Sequence, residues 1–214
     1  GGLKLRAALD AFKIDPESLT ILDVGASTGG FTDCLIQAGA RQVIALDVGH
    51  GQLDWNLRNH ARVRVVERFN ARYLTPGTLR EAIGAADPLP PLDLAVADLS
   101  FISLGLILPA LATLSPLPRL VCLVKPQFEA GRREVGRGGL VRDPAIHARV
   151  LEQFSLMAMK TGWRPRDLIP SPLRGARGNR EFLADLDRWP SGGPLELPPR
   201  IVSAIRSAVR ESPA

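Results

Sequence analysis

The chain predicts an α/β fold built on a seven-stranded, mostly parallel sheet with one antiparallel strand. Three observations carry this. An apolar run, Ile21-Leu22-Asp23-Val24, takes in a carboxylate and opens into a loop of small residues, Gly25-Ala26-Ser27-Thr28-Gly29-Gly30. A second apolar run, Val43-Ile44-Ala45-Leu46, follows about twenty residues later and ends in Asp47. Beyond it, short apolar runs alternate with helical rhythms as far as residue 161, after which two runs follow with no helix between them. Alternation of this kind implies a parallel sheet, and the last pair turns one strand antiparallel.

The elements follow in order. Apolar residues at 3, 5, 8, 9 and 12 give residues 3–13 a helical rhythm, which Asp15-Pro16 breaks. Strand one covers 19–24, and a helix covers 29–38, closed by Gly39. Strand two is 42–47, a short helix covers 52–58, and Val63-Arg64-Val65-Val66 alternates as strand three. Pro76-Gly77 precedes a short helix to 84. The Pro-rich stretch 88–91 feeds strand four, Leu92 to Ala97, followed by a helix over 103–113 and strand five over 119–124. Residues 126–143 read as a long Gly/Arg loop. Asp143-Pro144 supplies an N-cap and a first helical position for a helix to 161, which Gly162 ends. Strand six is 163–170, residues 171–178 are a loop, strand seven runs from Glu181 to Leu186, and a last helix covers 198–210. The result is the Rossmann-like, seven-stranded arrangement of class I S-adenosylmethionine-dependent methyltransferases. One domain is expected, with an N-terminal helix and lysine segment (1–18), a core (19–187) and a C-terminal tail and helix (188–214).

Composition narrows the class. With 45% hydrophobic and 23% charged residues in 214, the chain is globular rather than disordered. It has no run of about twenty apolar residues and no signal peptide, so it is expected to be cytoplasmic. Cys34 and Cys122 both lie in apolar segments and read as buried free thiols. The three histidines have no ligand spacing, so no metal site is expected. The net charge of +5 fits a polyanionic partner. Arginines cluster at Arg132, Arg133, Arg137 and Arg142, and again at Arg164, Arg166, Arg174, Arg177 and Arg180. They suit phosphates, or they reflect a genome that uses arginine for lysine. The chain opens Gly-Gly-Leu without an initiator methionine, as a fragment or processed form does.

A strand, a glycine turn, a helix, a second strand and a terminal acid grip a nucleotide-like cofactor. The glycines admit the ligand close to the backbone, and Asp47 can accept both ribose hydroxyls. The spacing Gly25-x-x-x-Gly29-Gly30 suits S-adenosylmethionine better than a dinucleotide, because it has no pyrophosphate to seat on a helix N-terminus. A tight structural turn is the alternative. The cofactor-binding candidates are Asp23, Gly25, Ser27, Thr28, Gly29, Gly30, Phe31, Asp47, Val48, Asn70 and Asp98.

In such sheets ligands sit beyond the carboxyl ends of the strands. Asp23, Asp47, Asn70, Asp98 and Lys125 fall there in turn, so Asp98 and Lys125 would face each other at the cofactor's reactive end. The alternatives are a helix N-cap for Asp98 and an exposed strand-end lysine for Lys125.

Six segments resemble the TlyA family, FtsJ-like S-adenosylmethionine-dependent ribosomal RNA 2′-O-methyltransferases often labelled hemolysins. They are Gly-Gly-Leu-Lys-Leu at the start, the eleven residues from Asp23 to Asp33, Asp-Val-Gly-His-Gly-Gln-Leu at 47–53, Asn-Ala-Arg at 70–72, Asp-Leu-Ser-Phe-Ile-Ser at 98–103 and Lys-Pro-Gln-Phe-Glu at 125–129. The likeness runs to about residue 187 and does not include the family's N-terminal RNA-binding domain. It implies a Lys–Asp–Lys–Glu tetrad at Lys4, Asp98, Lys125 and Glu181, the last within Gly178-Asn179-Arg180-Glu181. It also implies ribosomal RNA or ribosomal subunits as partner.

The chemistry is consistent with that tetrad. A ribose hydroxyl is a poor nucleophile until it loses its proton, so orientation and deprotonation are the main tasks. A lysine serves as base only when desolvation or a neighbouring cation eases its deprotonation. Lys125 is the candidate base, or a cation that steers the hydroxyl. Lys4 is the candidate neighbouring charge, with Asp98 and Glu181 holding the lysines. The loop 129–143, with Glu129, Glu134 and its arginines, either closes over substrate or is a solvated loop. His50 reads as a structural or cofactor-edge residue. Rival readings are methylation of an exocyclic base amine, which Asp98-Leu99-Ser100-Phe101 faintly suggests without its two prolines, a non-catalytic cofactor- and RNA-binding protein, and a membrane-lytic protein. The last has only a modestly amphipathic C-terminal helix to offer.

Overall fold

The computed structural model describes residues 1–85, 89–189 and 195–210. In chain order the helices and strands are α1 (Gly2–Phe12), β1 (Thr20–Val24), α2 (Gly30–Gln37), β2 (Gln42–Leu46), α3 (Trp55–Arg58), β3 (Val63–Val66), α4 (Pro76–Ile83), β4 (Leu94–Ala97), α5 (Leu108–Thr113), β5 (Arg119–Val124), α6 (Pro126–Glu129), α7 (Pro144–Lys160), β6 (Trp163–Pro170), β7 (Phe182–Arg188) and α8 (Pro199–Arg210). The strands form one sheet in the order β3-β2-β1-β4-β5-β7-β6. Neighbours are parallel except β7, which is antiparallel to both β5 and β6.

The strand order reverses direction between β1 and β4, and this places the site. The register pairs Val24 with Leu46 and with Ala97, and Ala97 with Cys122. The residues that follow β1, β2, β4 and β5 therefore emerge along one edge of the sheet, at a topological switch point. The central strands β1, β4 and β5 are buried on both faces, as strands between two layers of helices must be. Their side chains alternate between two cores. Leu22, Val24, Ile44 and Leu46 join the core under α5, α7 and α8, while Ile21, Val43 and Ala45 join the one under α1 and α2.

Several element bounds differ from expectation for local reasons. Strand four begins at Leu94, two residues later than Leu92, because Asp93 uses its carboxylate to accept from Thr20 N–H at 2.8 Å. The helix expected over 103–113 divides into a 3-10 turn, Leu104–Leu106, and α5, whose second residue Pro109 has no N–H to continue the ladder. The short helix after β2 shrinks to Trp55–Arg58, capped by Asp54, which accepts from Asn56 N–H at 2.8 Å. The loop after β5 starts with α6, where Pro126 takes the first position. Part of the Pro-rich stretch 88–91, and residues 190–194 and 211–214 of the C-terminal segment, lie outside the described residues. Helix α8 is strongly amphipathic where only modest amphipathicity was expected, burying Ile201, Ile205 and Ala208 against the core and exposing Arg200, Arg206 and Arg210. Both cysteines are buried and unbridged. Among the described residues no helix is long and apolar enough to cross a membrane.

Candidate active site

The loop after β1 is shaped by close approaches. Gly25 has φ +84°, and a Cβ there would stand 2.6 Å from the Asp98 carbonyl oxygen. Gly25 and Ala26 donate their N–H groups to the Leu46 carbonyl at 2.8 and 3.1 Å, which draws the loop over the end of β2. There Asp47 is fixed by two backbone donors. Its Oδ2 accepts from Ser27 N–H at 2.8 Å and its Oδ1 from Gly49 N–H at 2.7 Å. Each carboxylate oxygen keeps acceptor capacity for a further donor.

These residues line a cavity of about 510 Å³, within the size range of small-molecule sites. Gly25, Ser27, Asp47, Val48, Asn70 and Asp98 all border it. Its apolar wall is built by Leu46, Phe69, Leu99, Ile102 and Ile107. Asn70 uses Oδ1 to accept from Arg72 N–H at 3.1 Å, which caps the next turn. A second cavity of about 180 Å³ shares Gly25, Ser27, Asp98 and Ser100 with the first and is bordered also by Thr28, Gly30, Phe31 and Lys125.

Two of the expected cofactor contacts border neither cavity. Asp23 is fully buried beneath the loop, where its Oδ2 accepts from Thr32 Oγ1 at 2.6 Å and its Oδ1 has no partner. Burial pushes its carboxyl up to about 7, against the Thr32 hydrogen bond and with a smaller push from Asp98. Gly29 is buried too. A Cβ there would stand 2.3 Å from Leu57 and 2.8 Å from Leu53, so this glycine lets α3 pack on the loop. Both residues shape the loop from behind.

The tetrad candidates form two separate ion pairs. Lys125, 8% exposed, ends β5 with its Nζ 2.7 Å from Asp98 Oδ1, and it donates to Ser100 Oγ at 2.9 Å. Lys4, on the first turn of α1, donates to Glu181 Oε2 at 2.5 Å. Glu181 is 4% exposed, just before β7. A Cβ at Gly175 would stand 1.9 Å from Glu181 Oε1, so that glycine makes room for the carboxylate. Among the described residues no carboxylate bridges the two lysines, and neither Lys4 nor Glu181 borders the two cavities. The sequence reading gave the two acids the task of holding the two lysines, and in the structure Glu181 pairs with Lys4 and Asp98 with Lys125.

Sequence reasoning missed three contributors. Ser100 is the hydroxyl partner of Lys125. Phe101 stands at the cavity mouth, 92% exposed, in the left-handed region with φ 65°, its ring 5.3 Å from that of Phe128. Positive φ is uncommon for a bulky residue, and here it holds an aromatic ring in solvent beside the cavity. Nothing in the composition of Asp98-Leu99-Ser100-Phe101 reveals that conformation. Glu129, counted among the loop charges, is instead a strut. It accepts from Ser103 Oγ at 2.7 Å and Leu104 N–H at 2.8 Å, and burial pushes its carboxyl up. It ties the segment after β4 to α6.

Elsewhere on the rim, His50 Nδ1 lies 2.9 Å from Glu67 Oε2. Hydrogen bonds, above all from Arg58, hold the Glu67 carboxyl down at about 2. Arg132, Arg133, Arg137 and Arg142 are exposed. Their loop is pinned by a bridge between Gly136 and Leu140 and by an ion pair between Glu134 and Arg149.

The FtsJ-like methyltransferase family matches residues 1–188. The chain is 46% identical over 218 residues to the 16S/23S rRNA (cytidine-2′-O)-methyltransferase TlyA of Mycobacterium tuberculosis, covering 100% of this chain and 76% of that protein. It is 41% identical over 184 residues to Hemolysin A of Brachyspira hyodysenteriae, covering 86% of this chain and 73% of that one. A solved structure from Streptococcus thermophilus that carries the name hemolysin superposes with a TM-score of 0.86 at 44% identity, covering 97% of this chain and 72% of that one.

Proposed function

Because the chain belongs to the FtsJ-like methyltransferase family, whose cofactor is S-adenosylmethionine, we propose that it methylates a ribose 2′-hydroxyl of ribosomal RNA. The observation that carries this reading is the pair of buried Lys125 and half-buried Asp98 at the small cavity, beside the larger one. An amine in that place serves hydroxyl chemistry. An exocyclic base amine needs an acceptor such as Asp98 and has no use for a lysine.

The larger cavity fits the cofactor. Asp47 would take the ribose hydroxyls on its free lone pairs, and the apolar wall would take the adenine. Gly25, whose Cβ site is filled by the Asp98 carbonyl, lets the loop after β1 lie against the end of β4, where it borders both cavities. S-adenosylmethionine, when bound, supplies a methyl group on a cationic sulfur. Lys125 Nζ, as the free amine, takes the proton from the 2′-hydroxyl, and Asp98 balances the ammonium that results. Lys4 and Glu181 hold α1 and β7 together at the side of the site. Phe101 offers a ring on which the base of the target nucleotide stacks. The exposed loop arginines meet backbone phosphates. Ribosomal subunits in the cytoplasm would be the place of reaction.

The Lys125–Asp98 contact also favours a second role. It is a contact that an ammonium makes, and an ammonium would steer the hydroxyl rather than deprotonate it. The pH dependence of single-turnover methylation separates the two, because a base loses rate as pH falls and a steering cation does not.

The function is tested by incubating the protein with methyl-labelled S-adenosylmethionine and ribosomal subunits. Label recovered in RNA supports the reading. Label confined to protein, or none in RNA at saturating cofactor, overturns it.

A further inference from the structure

Just before β7 in the chain lies a buried polar arrangement in which neither Lys125 nor Asp98 takes part. Asn179 is 3% exposed. Its Oδ1 accepts from Val141 N–H at 3.0 Å, and its Nδ2 donates to the Gly139 carbonyl at 2.8 Å. Both partners belong to the arginine-bearing loop. Val141 is gripped a second time by buried His147, whose Nε2 donates to the Val141 carbonyl at 2.9 Å. Arg177 adds a hydrogen bond to the Gly138 carbonyl at 2.7 Å. On the other side, the Asn179 carbonyl accepts from Gly175 N–H at 2.8 Å. Gly175 is the residue packed against Glu181, with no room for a Cβ. Two residues after Asn179, Glu181 holds Lys4.

We propose that Asn179 is a positioning residue whose side-chain amide couples the arginine-bearing loop to the Glu181–Lys4 pair. The proposal rests on the reading of the site as an RNA 2′-O-methyltransferase. Only an amide offers an acceptor and a donor side by side at this length. A carboxylate at 179 keeps the Val141 contact and sets a lone pair against the Gly139 carbonyl. A methyl group leaves the buried Val141 N–H and the half-buried Gly139 carbonyl without this partner, at real cost. The loop and the turn at 175–179 therefore move as one body. When Arg132, Arg133 and Arg137 take up phosphates, the position of the loop sets the position of Glu181, and so of Lys4 and the start of α1. Substrate engagement and the second ion pair are linked through one side chain.

The test uses the full chain with Asn179→Ala and Asn179→Asp, each made in the wild-type and in the Glu181→Ala background. Turnover, KM for ribosomal RNA, cofactor affinity by calorimetry and thermal melting are measured for each. In the wild-type background both variants should lose kcat by about tenfold or more and raise KM for RNA. Cofactor affinity should stay within about twofold, since Asn179 borders neither cavity. In the Glu181→Ala background the same changes should remove less than about another twofold of kcat, because residues that act through one another are not additive. Wild-type kcat in Asn179→Ala, or the same fold loss in both backgrounds, overturns the coupling. If Asn179→Ala melts below the assay temperature, Asn179→Asp carries the comparison, since it keeps the Val141 acceptor. Absence of methyl transfer by the wild-type chain removes the proposed function and this coupling with it, whereas wild-type transfer with indifferent Asn179 variants removes the coupling alone.

Discussion

Lys125 Nζ lies 2.7 Å from Asp98 Oδ1, across the seam between β5 and β4. The pair exists because parallel neighbours end in register, Ala97 beside Cys122, and because Pro126 and the turn after Asp98 stop both strands within a few residues. Lys125→Ala should abolish methyl transfer and leave cofactor affinity nearly unchanged, since the amine serves the hydroxyl. Labelled transfer to ribosomal subunits, beside calorimetry with S-adenosylhomocysteine, measures both. Surviving turnover would remove Lys125 from the chemistry.

Asp47 spends one lone pair of each oxygen on Ser27 and Gly49 and is left to meet a ribose with the others. Asp47→Ala should weaken S-adenosylmethionine binding by about 1–3 kcal/mol, because the ribose hydroxyls lose a charged acceptor. Unchanged affinity in calorimetry would place the ribose elsewhere.

Phe101 has its ring in solvent at the cavity mouth. Phe101→Ala should raise KM for RNA by the equivalent of about 1–3 kcal/mol of stacking, while cofactor affinity changes little. The reverse pattern, weaker cofactor and unchanged RNA, would make the ring part of the adenine wall.

Asp23 carries the pH prediction. Its carboxyl titrates near 7 in the folded chain because burial disfavours the charge, against roughly 3.9 when unfolded. The folded state therefore holds the extra proton between about pH 4 and 7. The stability this contributes is complete below the unfolded value and is lost as pH rises through 7. Urea unfolding of the cofactor-free protein should show stability falling across that window, and Asp23→Asn should flatten the fall while keeping an acceptor for Thr32. A slope that survives in Asp23→Asn would assign it to another group.

The sheet was legible because its strands are short apolar runs between clear breaks, and even the antiparallel β7 announced itself by the missing helix after β6. Asp47, Asp98 and Lys125 were legible for the same reason: they stand one residue past such runs, where this sheet must bring them to one edge. What stayed hidden depends on partners distant in sequence. Lys4 and Glu181 are 177 positions apart, and nothing local says that they pair with each other rather than with Lys125. Gly29 looked like a cofactor glycine, but its missing Cβ serves Leu57. Asp23 is a strand-end acid like Asp47, yet it lies one step earlier, under the loop, where Thr32 reaches it. The left-handed backbone of Phe101 and the strut at Glu129 arise from packing between two loops, which no periodicity records.

The position of the methyl group separates ribose chemistry from base chemistry. A 2′-O-methyl blocks the hydroxyl that attacks the adjacent phosphodiester in alkali, so a methylated ribose survives alkaline hydrolysis inside a dinucleotide. Ribosomal RNA labelled by this protein and methyl-labelled S-adenosylmethionine should release its label in alkali-resistant dinucleotides, and Lys125→Ala should release none. Label released wholly as mononucleotides would place the methyl on a base and contradict the account.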